Sequence, residues 1–131
     1  LSLFVDASAL VALIAREPER DDFVRRIAAE TALLWSAMSC WETVSALRRS
    51  HGLSLDDARR DLDLTTRHLG FTLVPIGESE REAALDAYQR YGKGRHPAKL
   101  NMGDCFAYAC AKTNNARLLY KGDDFAKTDL A

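Results

Sequence analysis

The chain has 131 residues, 47% apolar and 28% charged, with a formal net charge of −1. That is one domain's worth of chain with enough apolar side chain for a core, which excludes a disordered polymer. The near-neutral balance also excludes a protein that grips nucleic acid with its whole surface, while leaving room for a basic strip beside an acidic pocket. Cys40, Cys105 and Cys110 are odd in number and unpaired in spacing, so neither a disulfide framework nor a zinc site is expected. No basic stretch followed by an apolar core marks a signal peptide, and no apolar run has the length of a membrane span. A single cytoplasmic domain over residues 1–131 is the expectation.

Ser2-Leu3-Phe4-Val5 reads as a buried strand ending in the carboxylate of Asp6. Ser8 then caps a helix over Ala9–Arg16 that Glu17-Pro18 closes. Glu19–Glu30 is helical, with Phe23, Ile27 and Ala28 as its apolar stripe. Leu33-Leu34-Trp35 is a second strand, and Ser39 is a cap for a helix through Glu42, Val44 and Leu47 that His51-Gly52 stops. Ser54 opens another helix with Leu55, Ala58, Leu62 and Leu69 on its buried side, a face that serves either the core or a dimer. Phe71–Pro75 is the third strand, and Glu78–Tyr91 a helix with Ala84, Leu85 and Tyr88 facing inward. Gly92–Pro97 is a loop. Gly103–Asn114 is the last long helix, with Cys105 and Cys110 as small core residues, and Leu118-Leu119-Tyr120 is the fourth strand. Strands alternating with helices predict an α/β fold, a short and mostly parallel sheet of about four strands with helices on both faces.

In such a sheet, function gathers at the carboxyl ends of the strands. Asp6 follows the first strand there, and Asp123 and Asp124 follow the fourth. Asp104 opens the last helix, and Glu42 lies near the start of the helix after the second strand. Singly, each has an ordinary explanation: a helix cap for Asp6, a dipole partner for Asp104, a solvated face for Glu42, a turn for Asp123-Asp124. Together they repel, and a fold that gathers them needs a cation. An all-carboxylate set selects Mg²⁺ or Mn²⁺ over zinc, and such sites act on phosphate esters. Between Asp86 and Asp104 the chain carries no acid but holds Arg90, Lys93, Arg95, His96 and Lys99, with Tyr88 and Tyr91 just before the loop. This stretch suits a phosphate backbone, with tyrosines for stacking.

Three segments resemble those of the PIN-domain family, and of its VapC toxins in particular. They are Phe4-Val5-Asp6-Ala7-Ser8-Ala9-Leu10, Leu100-Asn101-Met102-Gly103-Asp104-Cys105-Phe106-Ala107-Tyr108-Ala109 and Leu118-Leu119-Tyr120-Lys121-Gly122-Asp123-Asp124-Phe125. Tyr91-Gly92-Lys93-Gly94-Arg95-His96 resembles the loop before the central motif in one VapC subgroup. The resemblance implies a PIN fold, usually homodimeric, and an acidic quartet binding one or two Mg²⁺ or Mn²⁺. Asp6 and Asp104 match the principal metal ligands, and Glu42 the acid on the helix after the second strand. The fourth acid is Asp124, which precedes the Phe, or Asp123. Ser8 matches a small hydroxyl that supports the site, and Lys93, Arg95, His96 and Lys99 are the RNA-contacting candidates.

The activity so implied is metal-dependent endoribonuclease cleavage of tRNA or ribosomal RNA, which stops translation and is blocked by a VapB-type antitoxin. A haloacid-dehalogenase-like phosphatase needs a second Asp two residues after the first, and Ser8 stands there. A receiver domain needs a phosphoacceptor Asp after a central strand, but the third strand ends in Pro75-Ile76-Gly77. A catalytically silent PIN-like module that only binds RNA or protein is the rival from another class. Its usual mark is a missing acid, and all four positions are filled.

Overall fold

A computed structural model describes residues 1–94 and 96–131. Its elements run β1 (Ser2–Val5), α1 (Ala7–Ile14), α2 (Arg20–Ala28), β2 (Ala32–Trp35), α3 (Ala37–His51), α4 (Leu55–Leu69), β3 (Thr72–Leu73), α5 (Glu78–Tyr91), α6 (Met102–Thr113) and β4 (Arg117–Leu119). The strands form one sheet in the order β3-β2-β1-β4, and every pairing is parallel. The expected α/β architecture is therefore present, with no antiparallel strand among the described residues.

Strand alternation sorts the core into two layers. Phe4, Leu34 and Leu118 point into one cluster with the buried faces of α5 and α6, among them Ala84, Ala87, Cys105 and Cys110. Leu3, Val5, Leu33 and Leu119 point the other way, onto α1, α2 and α4 through Leu10, Leu13, Phe23, Ile27 and Leu62. Helices thus cover both faces. β1 lies between β2 and β4, and the chain leaves it toward β2 but returns to its other side as β4. In an open parallel sheet such a reversal marks where a ligand crevice is expected, here at the carboxyl ends of β1 and β4, where Val5 registers with Leu119.

Several expectations change in detail. α1 begins at Ala7 with Asp6 as its cap, the carboxylate accepting from the Ser8 amide, so Ser8 is inside the helix. α3 is capped by Ser36 in a reciprocal box with Ser39 at the third position, because the helix starts directly after the strand ends at Trp35. The third strand shrinks to two exposed residues at the sheet edge. Leu55, Leu85 and Tyr88 are exposed rather than buried, as is Ala28. On α4 the buried side is Ala58, Leu62 and Thr66, and on α5 it is Ala84, Ala87 and Tyr91. Leu55, Leu85 and Tyr88 sit round the helix from these contacts, at the rim.

Candidate active site

Asp6 is the first residue beyond β1. Its amide continues the sheet by donating to the Leu119 carbonyl at 2.9 Å. Its carboxylate accepts from the Ser8 amide at 3.0 Å and from the Ser8 hydroxyl at 2.6 Å. The same hydroxyl accepts from the Lys121 amide at 2.9 Å. Ser8 therefore pins the start of α1 to the segment after β4, consistent with a supporting place in the site. Asp6 is at once helix cap and site candidate; the ordinary explanation and the functional one coincide.

Asp104 occupies the third position of α6. Asn101 caps this helix, accepting from the Asp104 amide at 2.9 Å, while the Asp104 carboxylate accepts from the Asn101 amide at 3.2 Å. That box fixes where the carboxylate points. Glu42 comes from the second turn of α3 and Asp124 from the turn after β4. That turn needs Gly122, whose φ of +92° few other residues adopt.

The electrostatics link these four acids. Burial raises the Asp6 carboxyl above its ordinary value against the pull of Ser8, and the charge of Asp124 adds to the rise. Glu42 is pushed up to about 7, by burial first and then by Asp6. Asp104 is also pushed up to about 7, by burial and by the charges of Asp124 and Asp6, against the Asn101 amide. Asp124 rather than Asp123 is the acid felt by Asp6 and Asp104; both sit exposed on the turn. Among the described residues no three acids, histidines or cysteines already converge closely enough to cage a metal. Drawing the carboxylates together costs repulsion that a divalent cation would cancel, and an all-oxygen donor set fits a hard ion.

The basic stretch divides. Lys93 and Lys99 are exposed; Arg95 lies outside the described residues. His96 is half-buried and turned to structural use: its Nδ1 accepts from the Ala98 amide at 3.0 Å, and its ring meets Tyr91 edge-on at 5.1 Å. Tyr91 is buried and so is no stacking platform, a correction to the sequence expectation. Its ring completes the core under α5 and α6, leaving Tyr88 as the exposed tyrosine of the pair. Gly92 bridges Leu100 in parallel, which closes the loop at its base. Lys93 and Tyr88 share a groove with Asn101 and Met102, the residues leading into Asp104. No role is legible in the sequence for Asn101 or Lys121; the Asn101 amide donates to the Asp104 carboxylate, and the Lys121 amide donates to the Ser8 hydroxyl that holds Asp6.

The family model "PIN domain" matches residues 3–130. A VapC ribonuclease of Mycobacterium bovis is 40% identical over 129 residues, covering 98% of this chain and 96% of the relative. A ribonuclease VapC of Mycolicibacterium smegmatis is 39% identical over 129 residues, covering 98% of both chains. In fold, the chain is similar to the crystal structure of Mycobacterium tuberculosis VapC20, a Sarcin-Ricin loop cleaving toxin. The TM-score there is 0.74 at 18% identity, over 95% of this chain and 92% of that one. A toxin–antitoxin complex from Klebsiella pneumoniae gives a TM-score of 0.69 at 20% identity, over 99% of this chain and 94% of that one. With that end-to-end match, the chain belongs to the PIN domain family, in its VapC group.

Proposed function

We propose that this chain is a metal-dependent endoribonuclease toxin acting as a single PIN domain over residues 1–131. The observation that carries the reading is that Asp6 is linked electrostatically to Glu42, Asp104 and Asp124, and Asp104 to Asp124, at the carboxyl ends of β1 and β4. These four are the residues proposed to hold Mg²⁺ or Mn²⁺. When bound, such an ion supplies charge neutralisation at a phosphodiester and acidifies a water. Ser8 holds Asp6 oriented, and the Asn101 box holds Asp104 oriented. Lys93, Lys99 and Arg95 position the RNA backbone, and Tyr88 offers a face to a base; His96 serves the loop that carries them.

The proposed substrate is tRNA or ribosomal RNA in the cytoplasm, with translation stopped as the outcome. A VapB-type antitoxin is the proposed partner, supported by the toxin–antitoxin complex among the fold neighbours. A cleft of about 880 Å³ between α3 and α4 exposes Trp41 and Leu55 beside Arg48 and Arg59. Among the described residues no helix is long and apolar enough to cross a membrane. The homodimer implied by the resemblance is tested by light scattering at twice the chain mass.

The test is incubation of the purified protein with total tRNA and ribosomal RNA in Mg²⁺, in Mn²⁺ and in EDTA, with Asp104→Asn alongside. Discrete fragments that need metal and vanish in the variant are the expected result. A folded, antitoxin-free sample that cuts nothing in either metal would favour the silent binding module instead.

A further inference from the structure

Gly103 is the second residue of α6, buried, immediately before Asp104. It is not among the glycines of positive φ, so what it contributes is space rather than conformational freedom. A β-carbon built on it would overlap the Glu42 carboxylate, and its three nearest atoms all belong to that group. The Glu42 side chain thus reaches across from α3 and lies against the α6 backbone where any other residue would place its own side chain. Glu42 and Asp104 come from helices far apart in sequence, and this contact brings their carboxyl groups to the same turn.

We propose that Gly103 is a positioning residue, whose missing side chain is the seat that holds the Glu42 carboxylate beside Asp6 and Asp104. Its functional consequence rests on the metal reading of the four acids; its geometry does not. The overlapping atoms end a flexible side chain, so a methyl group at 103 displaces Glu42 and leaves the helix in place. Alanine is also the better helix residue, and the Asn101 cap is untouched. Gly103→Ala therefore melts no lower than the parent, yet loses Glu42 from the site.

The experiment is a double-mutant cycle read by calorimetric titration with Mn²⁺ alone, on the parent, Gly103→Ala, Glu42→Gln and the double variant, paired with a crystal structure of Gly103→Ala. Each single change is expected to weaken Mn²⁺ binding by about 10-fold or more, and the double to bind no worse than either single. Parental Mn²⁺ affinity in Gly103→Ala, or losses that add in full, would overturn the proposal. The crystal structure decides independently of metal and of RNA. A Glu42 carboxylate moved off the first turn of α6 supports the seat, and one still resting there sinks it even if the parent cuts RNA. Should the parent bind no Mn²⁺, the metal reading fails while the structure of the variant still judges the seat.

Discussion

Glu17 and Asp129 lie among cations, whereas Asp6, Glu42 and Asp104 lie among one another. Glu17 accepts from Lys121 Nζ at 2.9 Å and sits 3.0 Å from His51 Nε2, and the Lys121 hydrogen bond foremost holds its carboxyl below the ordinary 4.5. At Asp129 partial burial pushes upward, but Lys112 and Tyr108 more than offset it. At the crevice the balance reverses: burial leads, neighbouring acids add, and the carboxyls rise. One chemical group therefore works in opposite directions within one small fold. The paired acids tie loops to helices and stabilise the folded state. At the crevice, burial and neighbouring acids disfavour the charged carboxylates, even though Asp6 and Asp104 also take part in helix caps.

The sharpest way to break this contrast is Asp104→Asn. The amide oxygen still accepts from Asn101, so the helix cap survives while a disfavoured buried charge is removed. Cleavage is expected to fall by roughly 10³-fold or more, since a cation site is worth several kcal/mol to phosphoryl chemistry. The metal-free variant is expected to melt higher than the parent at neutral pH, by about 3–6 °C. Calorimetry in EDTA checks the second half; a lower melting temperature would mean that Asp104 stabilises the fold and belongs with Glu17.

Much of this was legible in the sequence. The carboxyl end of β1 follows from an apolar run that stops at Asp6, that of β4 from one that stops at Lys121-Gly122, and the parallel order follows from alternation with helices. What was not legible depends on contacts across the chain. Lys121 lies 113 residues from Ser8, whose hydroxyl it meets, and no local pattern announces that pairing. Leu85 and Tyr88 fit an inward helical stripe, but Ala84, Ala87 and Tyr91 take the contact with α6 because α5 packs closely there. Serine suits a cap at Ser8 and Ser39, but each helix starts directly after its strand, so Asp6 and Ser36 cap instead. The loop histidine looked like an RNA contact because charge is visible in sequence and a ring packed on Tyr91 is not.

Ser8→Ala probes the seam between the two sets, because Ser8 serves Asp6 with one hand and Lys121 with the other. The loss of its hydroxyl leaves the Lys121 amide without this acceptor and Asp6 without its side-chain donor. A cost of about 1–2 kcal/mol in denaturant unfolding is expected. Cleavage should fall by roughly 10–100-fold, as for other groups that orient ligands from behind. Unchanged stability with lost activity would place Ser8 in the chemistry itself.

Glu17→Gln tests the stabilising set. The change removes an ion pair that is only partly exposed, and about 1 kcal/mol at neutral pH is expected. Because the folded Glu17 titrates below its ordinary 4.5, its contribution is full above that value and fades as pH falls through the folded one. Thermal melts of parent and variant should therefore differ at pH 7 and converge near the acid end. A constant gap would show that packing, not charge, carries the effect.

The smallest effects belong to Lys93 and Lys99, which among the described residues form no ion pair, in contrast to Lys121 and Lys112. An exposed cation with no ion pair is suited to a phosphate rather than to the fold. Lys93→Ala and Lys99→Ala should leave the melting temperature within about 1 °C. Each should weaken RNA binding modestly and evenly across sequences, and lower the salt dependence of log affinity by about 0.7–0.9 per lysine removed. Binding would be measured in EDTA, so that cleavage does not intrude, over a range of salt. A salt slope unchanged in both variants would move the RNA path away from this loop, leaving the acids as the site and the basic strip as ordinary solvated surface.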